Sequence, residues 1–430
     1  MRVLVTGAYG FIGAHIVAAL DAAGHDVVCA VRAGRRDERF PRMRALACDM
    51  GADLHMEDWM PRLDGIDAVV NCAGILRERG RNTFEAVHVA APLALFRACA
   101  RAGIRRVVQI SALGEPVDGE FVASKHRGDA ALLALDLDAV VLRPSVVYSA
   151  TGSYGGTSLL RALAALPRVL LLPGSGEQRL QPLAVEDLGL VVTAILVRPG
   201  ISRTMFEVVG PQVFSLCEYL RAWRHWLGYD RAREFRLPRW LIFTGAALGE
   251  ALGRGPLGLT MLRMLDRGNV GAADASTRIS SQLGVAPRTL SKALAAVPAQ
   301  VQDRWHARLY FLLPAMRVSV ALLWVASGLL GLLLPVQSMD AVTHAGPVPA
   351  ALALILARVS GAADLVLGVL CVIRWRPRLV LVLMFAMLAG YTLVIGLLWP
   401  YTWLDPFGGL LKNLPLLATL LVLLATEEGR

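Results

Sequence analysis

Apolar residues at the start of the chain recur first with the spacing of a strand and then with that of a helix. Residues 2–6 form a short apolar run, residues 15–23 have helical periodicity, and Gly24 is placed to end that helix before a second apolar run at residues 27–31. A glycine-rich turn separates the first run from the helix. A strand, a glycine turn and a helix within about 30 residues predict the first half of a βαβ unit, and therefore an α/β fold with a doubly wound parallel sheet.

Long apolar runs dominate the last third of the chain. They cover residues 318–335, 350–373, 379–399 and 410–425. The first three approach the ~20 residues that cross a bilayer, and the fourth is shorter and contains Lys412, whose side chain can extend to the near interface. We therefore predict an α/β domain at residues 1–300, with a smaller substrate-side region from residue 150 to 300, and an all-α domain of four transmembrane helices at residues 301–430.

Charges in the loops predict how these helices are oriented. Arginines precede the first span or join the second to the third: Arg304, Arg308, Arg317, Arg374, Arg376 and Arg378. Residues 337–349 and 400–409 contain neither Lys nor Arg. Because basic loops stay on the cytoplasmic side, we expect a multi-pass protein of the cytoplasmic (inner) membrane with both termini and the α/β domain in the cytoplasm.

The composition agrees with a membrane protein. Hydrophobic residues make up 55% of the chain and charged residues 18%, and the mean hydropathy is +0.52. The net charge of +10 comes mostly from scattered arginines rather than from a lysine-rich tail, so we expect no nucleic-acid partner. The six cysteines lack disulfide or metal-ligand spacing, which predicts a reducing compartment and no metal. The first residues run directly into a strand, without the pattern of a signal peptide.

The glycine turn has the spacing that a dinucleotide requires. Gly7 permits a tight turn, Gly10 lets backbone N–H groups approach a pyrophosphate, and Gly13 lets the helix pack closely on the strand. The partial positive charge at the helix N-terminus then faces the phosphates, so we predict a Rossmann-type cofactor site here. The residues between the glycines are predicted contacts as well: Tyr9, Phe11 and Ile12.

The end of the second strand predicts which cofactor binds. An acidic side chain there would bond the ribose hydroxyls of NAD and repel a 2′-phosphate, but the chain has Arg32 and then Arg36, with no acid before Asp37. Arginine pairs with phosphate, so NADP(H) is favoured over NAD(H); a solvated basic loop is the alternative reading. Asp49 and Met50 are expected at the adenine. The turn after the fourth strand is expected beside the adenine ribose: Cys72, Ala73 and Gly74.

Several short motifs follow one another along the chain. They are Thr6-Gly7-Ala8-Tyr9-Gly10-Phe11-Ile12-Gly13, Asn71-Cys72-Ala73-Gly74, residues 107–111, Arg143-Pro144-Ser145, residues 181–188 and Leu283-Gly284…Pro287-Arg288. Together they resemble the extended and atypical short-chain dehydrogenase/reductases over residues 1–300, especially the branch with the NADPH-binding accessory subunit of respiratory complex I. The C-terminal part, with Trp403-Leu404-Asp405-Pro406-Phe407-Gly408 and Lys412-Asn413-Leu414-Pro415, resembles the DoxX-like membrane domain, which is found fused behind such dehydrogenases.

The resemblance implies a catalytic set that this chain has only in part. In active relatives a Tyr four residues before a Lys donates a proton while nicotinamide delivers hydride, the Lys binds the nicotinamide ribose, and a Ser holds the substrate oxygen. By position the Ser is Ser111 and the Lys is Lys125, but the Tyr position holds Phe121, which has no hydroxyl. His88 stands where many relatives have an Asn. Whether the chain is an enzyme is therefore left open.

The missing hydroxyl leaves two interpretations. Either the domain binds NADPH without dehydrogenase chemistry and keeps Lys125 as a ribose ligand, or a different acid replaces the Tyr. His126 adjoins Lys125, and Tyr148 and Tyr154 follow the turn that the resemblance places beside the nicotinamide, at Pro144 and Ser145. The alternative role is packing for Tyr148 and a solvated helix position for His126.

Two charged residues lie inside the second predicted span. Arg358 and Asp364 are costly near mid-depth and indicate either function or pairing. Six residues apart on a helix, they lie about 120° from each other, so each needs a partner on another span or a polar cavity. Asp364 fits a proton path, a quinone-like headgroup or an interhelical hydrogen bond. Lys412 is a further polar candidate, placed to pair at the outer face.

Two functions follow as hypotheses. The first is an NADPH-dependent oxidoreductase whose small apolar substrate partitions into the membrane, as a quinone or an isoprenoid does. The second is a non-catalytic NADPH-binding sensor or assembly factor, with a membrane complex or a second copy of the chain as its partner. The apolar lining expected for the substrate-side region suits a large apolar ligand and equally an ordinary core. Residues 240–252 are apolar, too few to span, and could lie on the membrane surface.

Overall fold

The computed structural model describes residues 1–32, 40–251, 259–333, 348–404, 406 and 408–427. The chain divides into two compact units, Met1–Ala307 and Arg308–Arg430. The boundary falls inside a helix that begins at Val301.

The first unit contains strands and helices in alternation. Its strands are β1 (Arg2–Thr6), β2 (Asp26–Val31), β3 (Arg44–Ala47), β4 (Ala68–Asn71), β5 (Arg106–Ile110), β6 (Asp138–Pro144), β7 (Val147–Tyr148), β8 (Val169–Pro173), β9 (Arg179–Leu180), β10 (Leu183–Ala184), β11 (Thr204–Val208), β12 (Phe214–Ser215) and β13 (Arg233–Leu237). Its helices are α1 (Phe11–Ala22), α2 (Met56–Trp59), α3 (Ala91–Arg101), α4 (Glu120–Leu133), α5 (Gly156–Ala164), α6 (Val185–Val197), α7 (Leu216–Trp226), α8 (Arg239–Ala251), α9 (Leu259–Arg267), α10 (Ala275–Leu283) and α11 (Leu290–Ala295). Single helical turns occur at Met60–Arg62, Glu85–Ala90 (π-helical) and Pro116–Asp118.

Seven strands form one parallel sheet in the order β11-β6-β5-β4-β1-β2-β3. The central strands are almost entirely apolar and buried, as they must be when helices cover both faces of a sheet. Helices α1, α6 and α10 pack on one face, and α2, α3 and α4 pack on the other. This confirms the predicted doubly wound, Rossmann-type fold.

The chain passes from one half of the sheet to the other at β1, which pairs with both β2 and β4. In doubly wound sheets, ligands bind in the crevice beyond the carboxyl ends of the strands at such a switch point. Thr6, Asn71 and Ile110 end β1, β4 and β5 at that crevice. The fold therefore brings the glycine turn after β1 together with the segments that follow β4 and β5.

The C-terminal part of the chain is helical. Its helices are α12 (Val301–Leu333), α13 (Ala350–Ile373), α14 (Pro377–Leu398) and α15 (Asn413–Ala425), with a 3₁₀ turn at Pro400–Leu404. Among the described residues, α12, α13 and α14 are long and apolar enough to cross a membrane. This agrees with the predicted all-α membrane domain.

Two of the predicted spans differ from the observed helices in their limits. Helix α12 begins at Val301 rather than near residue 318 and continues through Pro314, because its first turns are too polar to register as an apolar run. Helix α15 has 13 residues, about 20 Å of rise, which is less than the roughly 30 Å of a bilayer core. Residues 409–412 form turns beside Gly408 and Gly409, since glycine is a weak helix former. The fourth predicted span is thus a shorter apolar helix.

The substrate-side region surrounds a second core. Three two-stranded sheets (β7 with β10, β9 with β12, β8 with β13) and helices α5, α7 and α11 form it. Arg161 of α5 is buried between two indoles of α7, with its guanidinium carbon 4.9 Å from the ring centre of Trp223 and 5.0 Å from that of Trp226. The same guanidinium pairs with Asp303 in the first turn of α12 at 3.2 Å. This ion pair fixes α5 and α7 to the start of α12.

Candidate dinucleotide-binding site

The glycine turn after β1 lies too close to neighbouring backbone to carry side chains. Gly7 has a φ of +62°, and a Cβ there would lie 2.9 Å from backbone atoms of Cys72 and Ala73. A Cβ on Gly13 would lie 2.1 Å from the carbonyl oxygen of Gly7. Helix α1 begins directly after Gly10, and no side chain among the described residues caps its first N–H groups. The turn therefore offers backbone N–H donors and a bare surface, which fits a pyrophosphate.

A chain of buried polar side chains crosses the sheet behind this turn. The Thr6 hydroxyl donates to Oδ1 of Asn71, and Nδ2 of Asn71 donates to Oε1 of Gln109 at 2.7 Å. The Ala73 N–H also donates to Oδ1 of Asn71, at 3.3 Å. These bonds hold the ends of β1, β4 and β5 in register under the site. Asn71 was part of a motif in the sequence. Its bonds to Thr6 and Gln109 could not be predicted without knowing that β4 lies between β1 and β5.

The residues predicted at the adenosine end lie in two places. Arg32 follows β2 with an exposed side chain, whereas Arg36 lies outside the described residues. Oδ1 of Asp49 accepts the Gly51 N–H at 3.0 Å, and Oδ2 pairs with Arg81 at 3.2 Å. Met50 beside it is buried. One oxygen of Asp49 thus already forms an ion pair with Arg81, which was not predicted from the sequence.

Lys125 lies buried beneath the crevice. Its Nζ donates to the carbonyl oxygen of Ala73 at 2.9 Å and to that of Ile110 at 3.2 Å, which leaves its third proton for a ligand. A Cβ on Gly74 would lie 3.0 Å from Nζ, so the ammonium lies directly against this glycine. Burial lowers the pKa of Lys125 to about 8, against the opposing effect of the Asp129 carboxylate. Lys125 thus joins the ends of β4 and β5 and stays largely protonated near neutral pH.

Ser111 was predicted to hold the substrate oxygen, but its hydroxyl proton is already used in a hydrogen bond within the protein. It donates to Oδ2 of the buried Asp129 at 2.7 Å, and Arg143 pairs with the same oxygen at 2.9 Å. In this arrangement the hydroxyl has only lone pairs to offer, so it accepts hydrogen bonds rather than donates them. Asp129 was not predicted, and Arg143 was named only as part of the Arg143-Pro144-Ser145 motif. They lie 18 and 32 residues beyond Ser111 in sequence and meet it only in the folded chain.

Phe121 stands in α4, one turn before Lys125, and packs against His88. The two rings meet edge to face with centres 5.6 Å apart. Nε2 of His88 accepts the Ile75 N–H at 3.0 Å, so the ring proton lies on Nδ1, which donates to the Ser124 hydroxyl at 2.9 Å. Burial lowers the pKa of His88 to about 2, and the imidazole is neutral. Both polar atoms of His88 are therefore bonded within the protein.

The other acids considered from the sequence take different positions. Tyr148 is buried in the substrate-side core against Trp223, with ring centres 5.8 Å apart, and burial raises the pKa of its phenol. This agrees with the packing alternative and argues against Tyr148 as a proton donor. Nε2 of His126 lies 3.3 Å from the Ala112 carbonyl oxygen, and burial lowers the pKa of this ring. Tyr154 is exposed.

The predicted nicotinamide turn joins three segments of backbone. The Pro144 carbonyl accepts the Leu113 N–H at 3.1 Å, and the Ser145 N–H donates to the Val208 carbonyl oxygen at 3.1 Å. The Ser145 hydroxyl donates to the Gln181 carbonyl. Pro144 and Ser145 thus hold the segments after β5 and β6 beside those after β9 and β11. Their contact with a nicotinamide stays a prediction.

We call three exposed apolar residues, on the segments that follow β4, β5 and β7, the apolar rim. Leu76 follows β4, Val117 follows β5 and Tyr154 follows β7, and all three are exposed. A Cβ on Gly155 would lie 3.7 Å from Cδ1 of Leu76, so two of these segments touch. The sequence analysis did not identify this rim, because single apolar residues in loops give no periodic signal.

Helix α9 packs on the same segments. Its Arg267 pairs with Asp118 at 3.0 Å. A Cβ on Gly119 would lie 2.8 Å from Oγ1 of Thr260, and one on Gly156 would lie 2.3 Å from Cε of Met261. Helix α9 therefore lies directly against the segments that follow β5 and β7 at the rim.

The charged residues of the second span both face α12. Oδ2 of Asp364 accepts the Ser327 hydroxyl at 3.2 Å, and Arg358 donates to the Gly331 carbonyl at 3.1 Å. Each of the two therefore bonds a residue of another helix. This agrees with the expectation that two side chains about 120° apart around one helix do not pair with each other. Lys412 precedes the first residue of α15.

Glu427 contacts three of the arginines that were predicted to lie on the cytoplasmic side of the membrane. Glu427, buried just after α15, pairs with Arg317 of α12 and with Arg374 after α13, the latter at 2.5 Å. Its carbonyl accepts Nε of Arg378 in α14 at 2.9 Å. Among the described residues, Glu427 thus joins four helices at one end of the membrane unit, and this role was not predicted from the sequence.

Comparison with known proteins assigns both parts of the chain. Residues 3–206 match the NAD dependent epimerase/dehydratase family, and residues 321–421 match the DoxX-like family. Ceramide reductase of Caulobacter vibrioides is 30% identical over 253 residues, which cover 58% of this chain and 77% of that protein.

More distant relatives agree. Subunit 9 of the NADH dehydrogenase [ubiquinone] 1 alpha subcomplex of Rattus norvegicus is 26% identical over 51% of this chain and 60% of its own length. The crystal structure of UDP-glucuronic acid 4-epimerase from Bacillus cereus, in complex with UDP-glucuronic acid and NAD, superposes with a TM-score of 0.53 at 18% identity, over 72% of this chain and 100% of that one. With the glycine turn and the parallel sheet, these matches show that the chain belongs to the NAD-dependent epimerase/dehydratase family of short-chain dehydrogenase/reductase-like proteins and carries a DoxX-like membrane domain.

Proposed function

We propose that the chain is a membrane-anchored, NAD(P)H-dependent oxidoreductase that reduces the carbonyl group of an apolar, membrane-partitioned molecule, either a lipid or a quinone. The observation that carries this proposal is the exposed apolar rim of Leu76, Val117 and Tyr154, because Leu76 and Val117 follow β4 and β5, the two strands whose ends Lys125 joins. A polar substrate would gain nothing from such a rim, whereas an alkyl chain would bury apolar surface there. The relative called ceramide reductase supports a lipid in particular.

The residues of this chain fit the cofactor in the way that the family requires. The N–H groups at the start of α1 would bind the pyrophosphate, and Lys125 would lie beside the nicotinamide end, with one Nζ proton left after its bonds to Ala73 and Ile110. A bound nicotinamide supplies hydride. The chain itself must supply a proton to the oxygen that develops negative charge.

Lys125 is the group that we infer to supply this proton. Phe121 has no proton to give, the Ser111 hydroxyl donates to Asp129, and both nitrogens of His88 are bonded inside the protein. The ammonium of Lys125 keeps a proton that no carbonyl has taken. For a keto lipid, the carbonyl carbon gains hydride and its oxygen gains the ammonium proton; for a quinone, hydride and proton both end on the two oxygens of the quinol. Solvent later returns a proton to the amine.

We further propose that NADPH is preferred to NADH. Arg32 directly follows β2 with an exposed side chain and stands where an acid would have to bind the ribose hydroxyls of NAD. A 2′-phosphate can make charge-assisted hydrogen bonds to that guanidinium.

Turnover in a bilayer tests the main proposal. The full chain in proteoliposomes is given NADPH with long-chain ketones, oxidised lipids or quinones, and absorbance of NADPH is followed. We expect oxidation that is absent in Gly10→Asp, whose carboxylate would repel the pyrophosphate. Equal rates in the two proteins with every acceptor would refute an oxidoreductase function.

A second function is favoured by one specific observation. Phe121 fills the proton donor's position with a ring packed on His88, and a complex I subunit is among the relatives. A protein that binds NADPH without reducing anything would act as a sensor or assembly factor of a membrane complex, or of a homo-oligomer. Micromolar binding of NADPH without turnover in the same proteoliposomes would support this function over the first.

We also propose an orientation. Arg317, Arg374 and Arg378 lie at one end of the membrane unit, together on Glu427, and basic residues are retained on the cytoplasmic side. The cytoplasmic (inner) membrane is then the location, with both termini and the Rossmann domain inside. A cytoplasm-dependent reporter fused after Arg430 should be active, and an inactive one would contradict this topology.

A further inference from the structure

Three large apolar side chains protrude from one corner of the substrate-side region. Phe235 of β13 is 50% exposed, and Trp240 and Leu241 of α8 are 67% and 44% exposed. They are adjacent in sequence, across the short connection from β13 to α8. Single exposed apolar residues are ordinary, but neighbouring ones that include a Trp and a Phe mark an interaction surface.

Over residues 240–247, helix α8 has apolar side chains on both its inward and its outward face. Ile242, Phe243 and Ala246 are turned inward, half-buried or buried, while Trp240 and Leu241 are turned outward. The positions that continue the outward face, at residues 244, 245 and 247, are Thr, Gly and Ala. An exposed helix face that lacks charges over two turns, as here from residue 240 to residue 247, is usually covered by something other than water.

Arginines border the exposed apolar residues. Arg233 and Arg236 of β13 are exposed, and Arg239 opens α8. Arg239 pairs with Asp266, and the acid of the strand, Glu234, pairs with Arg221. Between residues 231 and 239 the chain has four arginines and one glutamate, so this corner is positively charged. Aromatic and aliphatic side chains bordered by arginine are the composition of elements that lie in the headgroup region of a bilayer.

We propose that the surface formed by Phe235, Trp240 and Leu241 docks on an anionic lipid bilayer. The bilayer is the favoured occupant because the same chain has three helices long enough to cross one, which keeps lipid within reach of the domain. The arginines complement anionic headgroups, which attract basic residues close to the membrane surface. The aromatic rings would enter the interface while the arginines contact phosphates.

The docking surface is connected to the apolar rim. Helix α8 packs on α9, and α9 contacts the rim segments through Arg267 on Asp118 and Thr260 beside Gly119. If the proposed reductase function holds, on which this step rests, a lipid would pass from the bilayer along α8 and α9 into the crevice without crossing water. The docking itself does not depend on that function.

Site-specific labelling tests the docking. Trp240→Cys in the full chain is labelled with the environment-sensitive fluorophore NBD and reconstituted in nanodiscs containing phosphatidylglycerol. Leu190→Cys is the matched control, since Leu190 is also an exposed apolar residue, on α6. The unsubstituted chain, labelled in parallel, gives the background from native cysteines. We expect blue-shifted emission at position 240 and several-fold stronger quenching by lipid-borne doxyl groups there than at position 190.

Two outcomes would overturn the proposal. Equal quenching at positions 240 and 190 would show that lipid does not reach α8. Quenching that is absent while chains cross-link to each other through position 240, more at higher protein concentration, would identify a second copy as the occupant. Arg233→Gln with Arg236→Gln should reduce the quenching on anionic lipid and leave it unchanged on phosphatidylcholine.

The failure of docking and the failure of reductase function give different results. The quenching assay needs no turnover, so a quenched probe on an inactive protein supports docking alone. Trp240→Glu should lower the reduction of a long-chain substrate supplied in the bilayer but not that of a short, water-soluble one. An equal effect on both substrates would contradict lipid entry along α8.

Discussion

The ring of Phe121 lies edge-on to the imidazole of His88, with ring centres 5.6 Å apart, at the place where related dehydrogenases have their proton donor. The imidazole is neutral and uses both nitrogens within the protein, for Ile75 and Ser124. The pair is therefore a packing contact, and no proton moves through it. Lys125 is the group to which we assign the proton transfer in the proposed reaction.

Restoring a hydroxyl at position 121 should show how much catalytic rate the phenylalanine costs. We expect Phe121→Tyr to raise kcat for NADPH oxidation about tenfold or more, because a positioned general acid contributes about 10²–10⁴-fold. Phe84→Tyr is the control, since Phe84 also packs on His88 but lies outside α4. A wild-type rate equal to that of Phe121→Tyr would remove the main argument for the non-catalytic function.

The pH dependence of turnover should report Lys125. Its pKa is lowered to about 8 by burial, so the ammonium predominates below pH 8 and the neutral amine above it. If this ammonium supplies the proton, kcat falls as the pH rises through about 8. Lys125→Met should abolish turnover, and Ser111→Ala should keep the same falling limb. A rate that is flat from pH 7 to pH 10 would exclude Lys125 as the donor.

The fold and the cofactor turn could be predicted from the sequence because they depend on local patterns. The spacing of Gly7, Gly10 and Gly13 is read within a few residues, and the apolar strands beside it have a period that requires no tertiary knowledge. The side-chain partners could not be predicted in the same way. Ser111 bonds Asp129 only because β5 and α4 lie together, and no pattern in the sequence states that distance.

In the membrane unit, too, local patterns could be predicted from the sequence and side-chain partners could not. Span lengths and loop arginines were visible as hydropathy and charge, but the partner of Asp364, Ser327, lies 37 residues away on another helix. Tyr148 illustrates the reverse case: its position after the Pro144-Ser145 turn indicated the nicotinamide, and its ring instead packs on Trp223. A side chain's direction is decided by packing, which a position in the sequence does not fix.

Cofactor preference should follow the charge at position 32. Arg32→Glu is expected to weaken NADPH binding about tenfold or more, since a hydrogen bond to a charged group contributes about 1.5–3 kcal/mol, and to leave NADH binding equal or stronger. Titration of both nucleotides by fluorescence measures the ratio. Arg42→Glu, an exposed arginine farther along the chain, controls for the general loss of positive charge. Equal weakening of both nucleotides in Arg32→Glu would argue against a 2′-phosphate contact.

The crossing of α12 and α13 should depend on its glycines. A Cβ on Gly328 would lie 2.6 Å from the backbone nitrogen of Leu365 and 2.7 Å from the Gly361 carbonyl oxygen. Gly328→Val should therefore force the helices apart and cost about 1–3 kcal/mol, seen as a Tm several degrees lower in detergent. Gly390→Val is the matched control, because a Cβ there meets nothing within 4 Å. A Gly328→Val protein as stable as the control would disprove this close approach.

Glu427 should be the most sensitive single position at the arginine-rich end of the membrane unit. Glu427→Gln removes the negative charge that Arg317 and Arg374 share and leaves the partly buried Arg317 unpaired, whereas Arg374 is half exposed and can turn to water. We therefore expect a loss of about 2 kcal/mol, below the 3–5 kcal/mol of a fully buried pair. Thermal unfolding of the full chain in detergent measures it, and high salt should affect it little because Glu427 is buried. Arg317→Gln combined with Glu427→Gln should recover part of the loss, since no charge then stays buried alone; a double variant less stable than either single one would contradict the pairing.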